Sequence, residues 1–262
     1  MMDMEKKKST VLQTVLYWVL PALAVLLIIV GWIWFSANNP RLMPNPQQVF
    51  DRFIRTFTRP VAKVNLFGHA MASLRRVLTA LFFSWIVGIG LGILIGWNRA
   101  FKAVIGTLFE IIRPIPPIAW IPIVIMWFGI EEFPKILIVI IGTFVPVVIN
   151  TAAGIALVDK INVDVGRIFG GNKYQILGQI LIPTALPSIF AGVRTSVSSG
   201  WTTMLAAEMI AAQSGLGSLV MRGWNGYDMA LVMVAVITIA LIGALLAFAL
   251  NVLEKLVCPW TR

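Results

Sequence analysis

Residues 164–187 read DVGRIFGGNKYQILGQILIPTALP, a polar-containing stretch that interrupts the apolar second half of the chain. The helical pattern breaks at Gly170-Gly171 and resumes at Asn172, since glycine favours the conformations that end a helix. Beyond the break, one stripe holds Ile176, Leu177, Ile180 and Leu181, which is typical of a helix that lies against membrane or protein. We therefore predict two short helices that meet at an angle in water and form a docking site.

The composition excludes an ordinary soluble domain. Of the 262 residues, 59% are hydrophobic and 12% are charged, which is typical of a protein that lives in a bilayer. The formal net charge is +10, but the basic residues cluster at the ends of apolar segments, where they anchor and orient membrane spans rather than bind nucleic acid. The single cysteine, Cys258, excludes an internal disulfide.

Six apolar segments are long enough to cross a bilayer core of about 30 Å, which takes about 20 helical residues. They are residues 11–37, 69–97, 101–128, 134–157, 184–212 and 228–255. An even number of spans puts both termini on one side of the membrane. The run Lys6-Lys7-Lys8 indicates that this side is the cytoplasm, and the docking site then faces the cytoplasm as well.

The segment 38–68 conflicts with this topology, because it lies outside and is rich in basic residues. These are Arg41, Arg52, Arg55, Arg59 and Lys63. An amphipathic helix over residues 45–57, lying in the membrane interface, would tolerate such charges.

Three features inside the spans are unusual for helices in lipid. Gly88, Gly92 and Gly96 recur every four residues, a spacing that lets helix backbones approach closely. The third span is interrupted by Arg113-Pro114-Ile115-Pro116-Pro117, and we predict that this irregular backbone lies inside the helix bundle. Arg75 and Arg76 near the start of the second span are interpreted as reaching to headgroups.

The fifth span carries the polar residues that are most costly in a membrane. They are Arg194, Ser196, Ser198, Ser199, Thr202, Thr203 and Glu208. At about 100° per residue, Arg194, Ser198, Trp201 and Glu208 fall near one face, with Thr202 beside it. A face with a cation, hydroxyls and an aromatic ring suits the stepwise passage of a small anion. The alternative is that this face packs against the third span or a second protomer. Glu208 is expected to serve structure or gating and to have a basic partner on another helix.

The spacing around Gly170 resembles the cytoplasmic loop of ABC-importer permeases, which reads E-A-A-x3-G-x9-I-x-L-P. Here Asp164-Val165-Gly166 is followed after three residues by Gly170, and Ile180 and Ile182-Pro183 complete the pattern. Asp replaces Glu, and Val-Gly replaces Ala-Ala. From His69 onward the chain resembles the nitrate/sulfonate/taurine branch of this family, closest to taurine permeases. The residues that carry this resemblance are His69-x3-Ser73-Leu74-x-Arg76, Arg113 to Pro122, Trp127 to Ile130, Gly192-Val193-Arg194, Gly200 to Glu208 and Gly215-Leu216-Gly217.

This resemblance implies an all-α integral membrane protein with the type I ABC-importer permease fold. Residues 1–68 would add one helix and an external segment, and residues 69–262 would form a five-helix core with a coupling loop at 158–183. The implied partners are a second permease copy, two ATPase subunits that bind ATP and Mg, and an extracytoplasmic substrate-binding protein. The implied location is the bacterial cytoplasmic (inner) membrane.

The predicted site has two parts. Contact with the ATPase is assigned to Asp164, Val165, Gly166, Gly170, Gly171, Lys173, Tyr174 and Pro183, and the translocation path to Pro116, Pro117, Trp120, Arg194, Ser198, Trp201, Thr202 and Glu208. The chain has no G-x4-G-K-S/T motif to hold a nucleotide phosphate, so we predict no catalysis, cofactor or metal of its own.

The substrate would be a small anion, taurine or an alkanesulfonate first, with nitrate and bicarbonate as further candidates. An ion-coupled carrier is the alternative, although the spans show no clear inverted repeat. A membrane enzyme is the weakest hypothesis.

Overall fold

The computed structural model describes residues 2–40 and 42–259, so Arg41 lies outside the described residues, as do the side chains of Lys6, Lys7 and Lys8. The helices are α1 Met2–Asn38, α2 Pro46–Thr58, α3 Leu66–Trp97, α4 Arg99–Phe101, α5 Thr107–Ile112, α6 Ile121–Phe128, α7 Glu132–Ala156, α8 Lys160–Ile168, α9 Lys173–Ile176, α10 Ile182–Ala211, α11 Leu216–Asn225 and α12 Met229–Val257. Two π-helical segments, Lys102–Gly106 and Leu177–Leu181, and one 3-10 turn, Pro117–Trp120, connect some of them. The fold is all-α, as predicted.

Within the described residues, five helical stretches are long and apolar enough to cross a membrane. They are Val19–Asn38, Leu66–Trp97, Glu132–Ala156, Lys173–Ile210 and Met229–Val257. The remaining predicted span, 101–128, is a broken pair, Arg99–Ile112 and Pro117–Phe128, whose axes meet at 84°. Three prolines within four positions, Pro114, Pro116 and Pro117, explain the break, because each removes a backbone donor and its ring crowds the preceding turn.

Helix α7 forms the centre of the molecule, with α3 packed along one side and α10 along another. Three glycines of α3 lie where it meets α7. A Cβ atom at Gly92 would lie 2.5 Å from Thr151 Cβ, one at Gly96 2.7 Å from the Ala152 carbonyl oxygen, and one at Gly88 3.0 Å from Val147. Only the absence of side chains lets the two backbones come this close.

The two ends of α3 mark the two ends of the molecule. At its start, Leu66 shares a buried apolar cluster with Val49 of α2 and Leu231 of α12. At its end, the ring of Trp97 lies 6.1 Å from that of Tyr174 in α9. The coupling loop and α2 therefore lie at opposite ends of the long helices.

The prediction of a separate second short helix after Asn172 is wrong. Asn172 does start a helix, through a capping box with Gln175, but that helix continues through the π-helical segment into α10. The reason lies at Pro183, which has no N–H to donate. The π-helical segment just before it, where the Ile182 N–H donates to the Leu177 carbonyl, widens the turn and lets the chain pass the proline without ending the helix.

Candidate functional site

The polar side chains of α10 divide into buried and exposed groups. Ser196 is buried and accepts a hydrogen bond from Trp85 Nε1 at 2.9 Å. Ser199 Oγ donates to the Gly142 carbonyl at 2.8 Å. That carbonyl lacks its helical partner because Pro146, four residues further along α7, has no N–H. These hydroxyls therefore satisfy groups inside the protein and serve packing.

The exposed group consists of Thr195, Ser198 and Thr202, which follow one another along a single side of α10. Thr202 Oγ1 donates to the backbone carbonyls of Ser198 and Ser199 at 3.2 and 2.9 Å. Such bonds leave the hydroxyl oxygen free to accept a hydrogen bond from outside the helix. This strip is polar in a molecule whose exposed surface is otherwise largely aliphatic and aromatic.

The four residues predicted to share one face of α10 differ in exposure. Arg194 and Ser198 are exposed, whereas Trp201 and Glu208 are 7% and 1% exposed. Trp201 Nε1 donates to the Ile239 carbonyl of α12 at 3.3 Å. The four lie within one helical arc, but the contact with α12 and α3 covers one flank of that arc. A helical period identifies a face without showing where a neighbour covers it.

Arg194 lies at the border of the two groups and pairs with Glu254 of α12. The Arg194 side chain is 52% exposed and the Glu254 side chain 24%. A half-exposed ion pair is therefore found beside the hydroxyl strip.

The proline segment is exposed along Arg113, Pro114, Ile115 and Pro116. The expectation that it lies inside the bundle is wrong for a single copy of the chain. Only part of the following turn packs inward: Trp120 lies against a cluster of Ile121, Val124, Ile138 and Ala207, whereas Ile118 is 54% exposed. The turn Pro117–Trp120 touches both α7 and α10.

Glu208 occupies a charged cluster at the end of the molecule opposite the coupling loop. Its carboxylate accepts hydrogen bonds from Arg76 Nη1 at 2.5 Å, from Ser73 Oγ at 2.8 and 2.9 Å and from the Gly217 N–H at 3.0 Å. The basic partner predicted for Glu208 is thus Arg76 of α3. The interpretation of Arg76 as reaching to headgroups is wrong, because Arg76 is 3% exposed.

Arg76 also binds the start of α7. Its Nε and Nη2 atoms donate to the two oxygens of Glu132 at 2.7 Å each, and its Nη1 donates to the Ser214 carbonyl at 2.7 Å. Lys135 Nζ lies 3.0 Å from the same Glu132 carboxylate. One guanidinium therefore ties three spans to the loop after α10.

The segment after Ala211 contains the partly buried helix α11. His69 accepts the Gly215 N–H at Nδ1 over 3.0 Å and donates from Nε2 to the Val61 carbonyl over 3.0 Å. Ser73 Oγ accepts the Leu216 N–H at 2.9 Å. Gly215 has a φ of +122°, and a Cβ there would collide with the Glu208 carboxylate. The spacing of His69, Ser73 and Arg76 on one face of α3 was the signal for this cluster, but the sequence alone does not supply its partners.

The coupling loop turns at two glycines. Gly170 has a φ of +78°, and the Gly171 N–H donates to the Gly166 carbonyl at 2.9 Å, as in the Schellman motif that ends many helices. At Gly166, a Cβ would collide with Ile180 Cδ1. The glycines thus let α8 fold back closely onto the helix that follows.

The outer surface of α8 is apolar and uncovered. Ile161, Ile168 and Phe169 are 67%, 83% and 86% exposed, and Val165 and Tyr174 are exposed as well. Asp164 and Arg167 form an exposed ion pair at 3.1 Å, and Lys173 is exposed beside Tyr174. Pro183 lies past this surface, within the continuous helix. An exposed apolar surface of this kind is unfavourable in water, so membrane or another protein is needed to cover it.

Comparison with known proteins identifies the family. Residues 88–262 match the binding-protein-dependent transport system inner membrane component family. The chain belongs to this family. Its members are transport permeases of ABC importers, so the present chain is a multi-pass membrane permease.

Permeases for several different substrates are similar to this chain over most of their length. The Escherichia coli (strain K12) taurine transport system permease protein TauC is 34% identical over 91% of this chain and 87% of its own length. The nitrate import permease protein NrtB of Synechocystis is 31% identical over 91% and 89%. The putative aliphatic sulfonates transport permease protein SsuC of E. coli is 34% identical over 88% and 84%. The permease therefore lies in the taurine, nitrate and sulfonate branch.

Solved structures support the same architecture. An inward-facing structure of the MetNI methionine ABC transporter matches with a TM-score of 0.64 at 18% identity, over 79% of this chain and 98% of that chain. A second MetNI crystal form gives 0.61 at 20% identity. The permease has the type I ABC-importer fold.

Proposed function

We propose that this permease forms the translocation path of an ATP-driven importer for a small anion, with taurine or an alkanesulfonate as the first candidate. The names of the similar permeases support the substrate class, since they include taurine, sulfonate and nitrate transport. Nitrate and bicarbonate remain further candidates, because each is also a small anion.

The exposed irregular backbone at residues 113–116 carries this proposal. Its neighbours in the chain, Arg99–Ile112 and Pro117–Phe128, are the two arms of an apolar broken span. The Arg113 and Ile115 N–H groups donate to the Phe109 and Ile112 carbonyls, but the Arg113 carbonyl precedes Pro116 and Pro117, which have no N–H. At membrane depth such a carbonyl is stable only where protein or a water-filled path covers it. A second permease copy and an aqueous path between the copies would provide both. Ser198 and Thr202 would line that path, with Arg194 beside them.

The ATP-dependent step is assigned to partner subunits. The exposed apolar surface of α8, with Val165 and Phe169, suits insertion into a groove on an ATPase subunit. Asp164, Lys173 and Tyr174 would form its polar and aromatic edge, and Gly166, Gly170 and Gly171 its corner. Two ATPase subunits, which would bind ATP and Mg, an extracytoplasmic binding protein and a second permease copy complete the proposed assembly.

The proposed location is the bacterial inner membrane, with both termini in the cytoplasm. Residues 69–262 would form the permease core, and residues 1–68 an added helix with an external segment. The coupling loop would then face the cytoplasm, where ATP is available.

Uptake by proteoliposomes tests the function. The chain would be reconstituted with its ATPase subunits and with the binding protein encoded beside it, and labelled taurine, alkanesulfonate, nitrate and bicarbonate would be offered separately. ATP-dependent uptake of at least one anion is expected, and ionophores that collapse ion gradients should leave it unchanged. Uptake that needs a gradient and no ATPase subunit would instead establish the ion-coupled carrier.

A further inference from the structure

Helix α2 presents three different faces. One side, which includes Val49 and Thr56, is buried at 5% and 0% exposure. Val49 belongs to the same apolar cluster as Leu231 and Ala235 of α12. This side fixes α2 against the first turns of α12.

A second face of α2 is apolar and uncovered. Phe50, Phe53, Ile54 and Phe57 recur at the i, i+3, i+4 and i+7 positions of one stripe. Their exposed fractions are 62%, 36%, 47% and 54%, and the rings of Phe53 and Phe57 stack at a centroid distance of 6.3 Å. A stripe of this kind is unfavourable in water.

The face opposite the stripe is polar. Gln48, Asp51 and Arg55 line an open cavity of about 740 Å³ between α2 and the start of α12. On the same side, Arg52 binds Asp228 at 2.8 Å, and Asp228 also caps α12 by accepting the Leu231 N–H at 2.9 Å. The charge of Arg52 is thus neutralised by Asp228 at the start of α12.

The stripe lies next to a span that packs little against the rest of the chain. The preceding span, Val19–Asn38, buries only 6% of its most apolar window within the chain, so lipid or a further protein must cover the rest. Trp32 of that span donates to the Pro44 carbonyl at 2.9 Å, which holds the start of α2 at the end of α1. Helix α2 therefore begins at the end of an apolar helix that is long enough to cross the membrane.

We propose that α2 lies in the plane of the membrane surface opposite the coupling loop, with its phenylalanine stripe among lipid acyl chains and its polar face toward water. A helix with a large apolar face, an opposite charged face and a fixed position at the membrane boundary has the properties of an interfacial helix. This position suits the basic residues of α2, because Arg52 is paired with Asp228 and Arg55 lines the open cavity. This inference concerns lipid contact and does not depend on the substrate proposed above.

Site-directed spin labelling tests the placement directly. In the Cys258→Ala background, single variants Phe50→Cys and Phe57→Cys place labels on the stripe, and Gln48→Cys and Arg55→Cys serve as matched controls on the opposite face. Phe50 and Phe57 lie outside the buried side of α2, so these exchanges leave its packing on α12 intact. The full chain would be reconstituted in phosphatidylethanolamine and phosphatidylglycerol vesicles, and collisions with oxygen, which concentrates in lipid, compared with those of a water-soluble nickel chelate.

Labels at Phe50 and Phe57 should collide with oxygen several-fold more than with the nickel chelate, and labels at Gln48 and Arg55 should show the reverse. Preferential collision with nickel at both stripe positions would place the stripe in water and overturn the proposal. Shielding of the stripe labels from both reagents would also overturn it, because a second copy or another protein would then cover the stripe.

Discussion

The hydroxyl groups of α10 differ in whether they can still form a hydrogen bond with a molecule outside the protein. Ser199 Oγ already donates to the Gly142 carbonyl, which lacks a helical donor because Pro146 has no N–H. Ser198 and Thr202 are exposed, and the bond from Thr202 to its own helix leaves its oxygen able to accept. This difference separates the positions that we propose for transport from the positions that serve packing.

Replacing the exposed hydroxyls should change transport without changing assembly. Ser198→Ala and Thr202→Val each remove one polar contact of a passing anion, and we expect an altered uptake rate or substrate preference. A lost hydrogen bond to a charged group corresponds to about 1.5–3 kcal/mol. Initial uptake rates in proteoliposomes measure the effect, together with basal ATPase activity of the assembled complex, which should stay unchanged.

The matched control is Ser199→Ala. It leaves the Gly142 carbonyl without its donor, so we expect a loss of stability of about 1–3 kcal/mol and unchanged uptake per folded complex. Loss of assembly in Ser198→Ala or Thr202→Val, or wild-type transport by both, would contradict the placement of the path.

Arg76 offers a second test at the scale of single residues. Glu208→Gln removes the buried partner, whose side chain is 0% exposed, whereas Glu132→Gln removes a partner that is 56% exposed. Breaking a buried pair corresponds to about 3–5 kcal/mol, while exposed pairs contribute about 0–1 kcal/mol. Thermal unfolding in detergent should therefore show a clearly larger loss for Glu208→Gln. Equal losses in the two variants would contradict a buried structural pair.

Single residues also show where sequence reasoning stops. The cost of a carboxylate in an apolar helix predicts that Glu208 needs a basic partner, and this is physically sound. Which arginine supplies it depends on the fold, because Arg76 is 132 positions away in the chain. Arginines near span ends are commonly solvated. Because Arg76 lies near the start of the second span, the sequence alone predicts that it reaches the headgroups.

Among the elements, the corner of the coupling loop is the most sensitive to a single change. Gly170 has a φ of +78°, where a side chain has free space but the backbone is strained. Gly170→Leu should add about 1–2 kcal/mol of strain, shift α8 relative to its proposed partner and leave the protein inserted but uncoupled. The measurement is ATP-dependent uptake together with substrate stimulation of ATPase activity.

A glycine nearby provides the control for this variant. Gly178 lies in the helix, with no atom within 4 Å of an added Cβ, so Gly178→Ala should transport like the wild type. Full coupling in Gly170→Leu would count against the role of the corner.

Helices and breaks that are marked by hydrophobic periodicity, glycine or proline could be predicted from the sequence. Elements whose conformation depends on tertiary contacts could not. The glycine break at Gly170-Gly171 and the proline break of the third span follow from backbone chemistry alone. The continuity of α9 into α10 past Pro183 depends on a π-helical segment that no residue pattern indicates. Helix α11 has ten residues, with Gly215 just before it and Gly217 within its first turn, a composition that favours a loop. The helix depends on contacts from α3, where His69 and Ser73 accept the N–H groups of Gly215 and Leu216.

At the scale of the whole molecule, a single copy leaves two surfaces that need partners. One is the irregular backbone at residues 113–116, which precedes the turn that packs on α10. The other is the apolar surface of α8, with Ile168 and Phe169 more than four-fifths exposed. They differ in chemistry, since carbonyl groups in the first need hydrogen bonds or water and side chains in the second need an apolar groove. We therefore propose two different kinds of partner, a second permease copy for the first surface and an ATPase subunit for the second.

ATP hydrolysis and the contact with the ATPase subunits can be tested separately from the pairing of the permeases. The chain has no phosphate-binding loop, so the isolated protein should hydrolyse no ATP, and co-expression with the ATPase subunits should yield a stable complex that does. Light scattering with size exclusion measures the mass of the complex, and we expect two permeases and two ATPase subunits. Exchanging two exposed residues of α8, Ile168→Asp and Phe169→Asp, should release the ATPase subunits while the permeases stay paired, because the paired surface lies elsewhere. ATP hydrolysis by the isolated chain, or loss of both contacts in this variant, would contradict the division of the two surfaces.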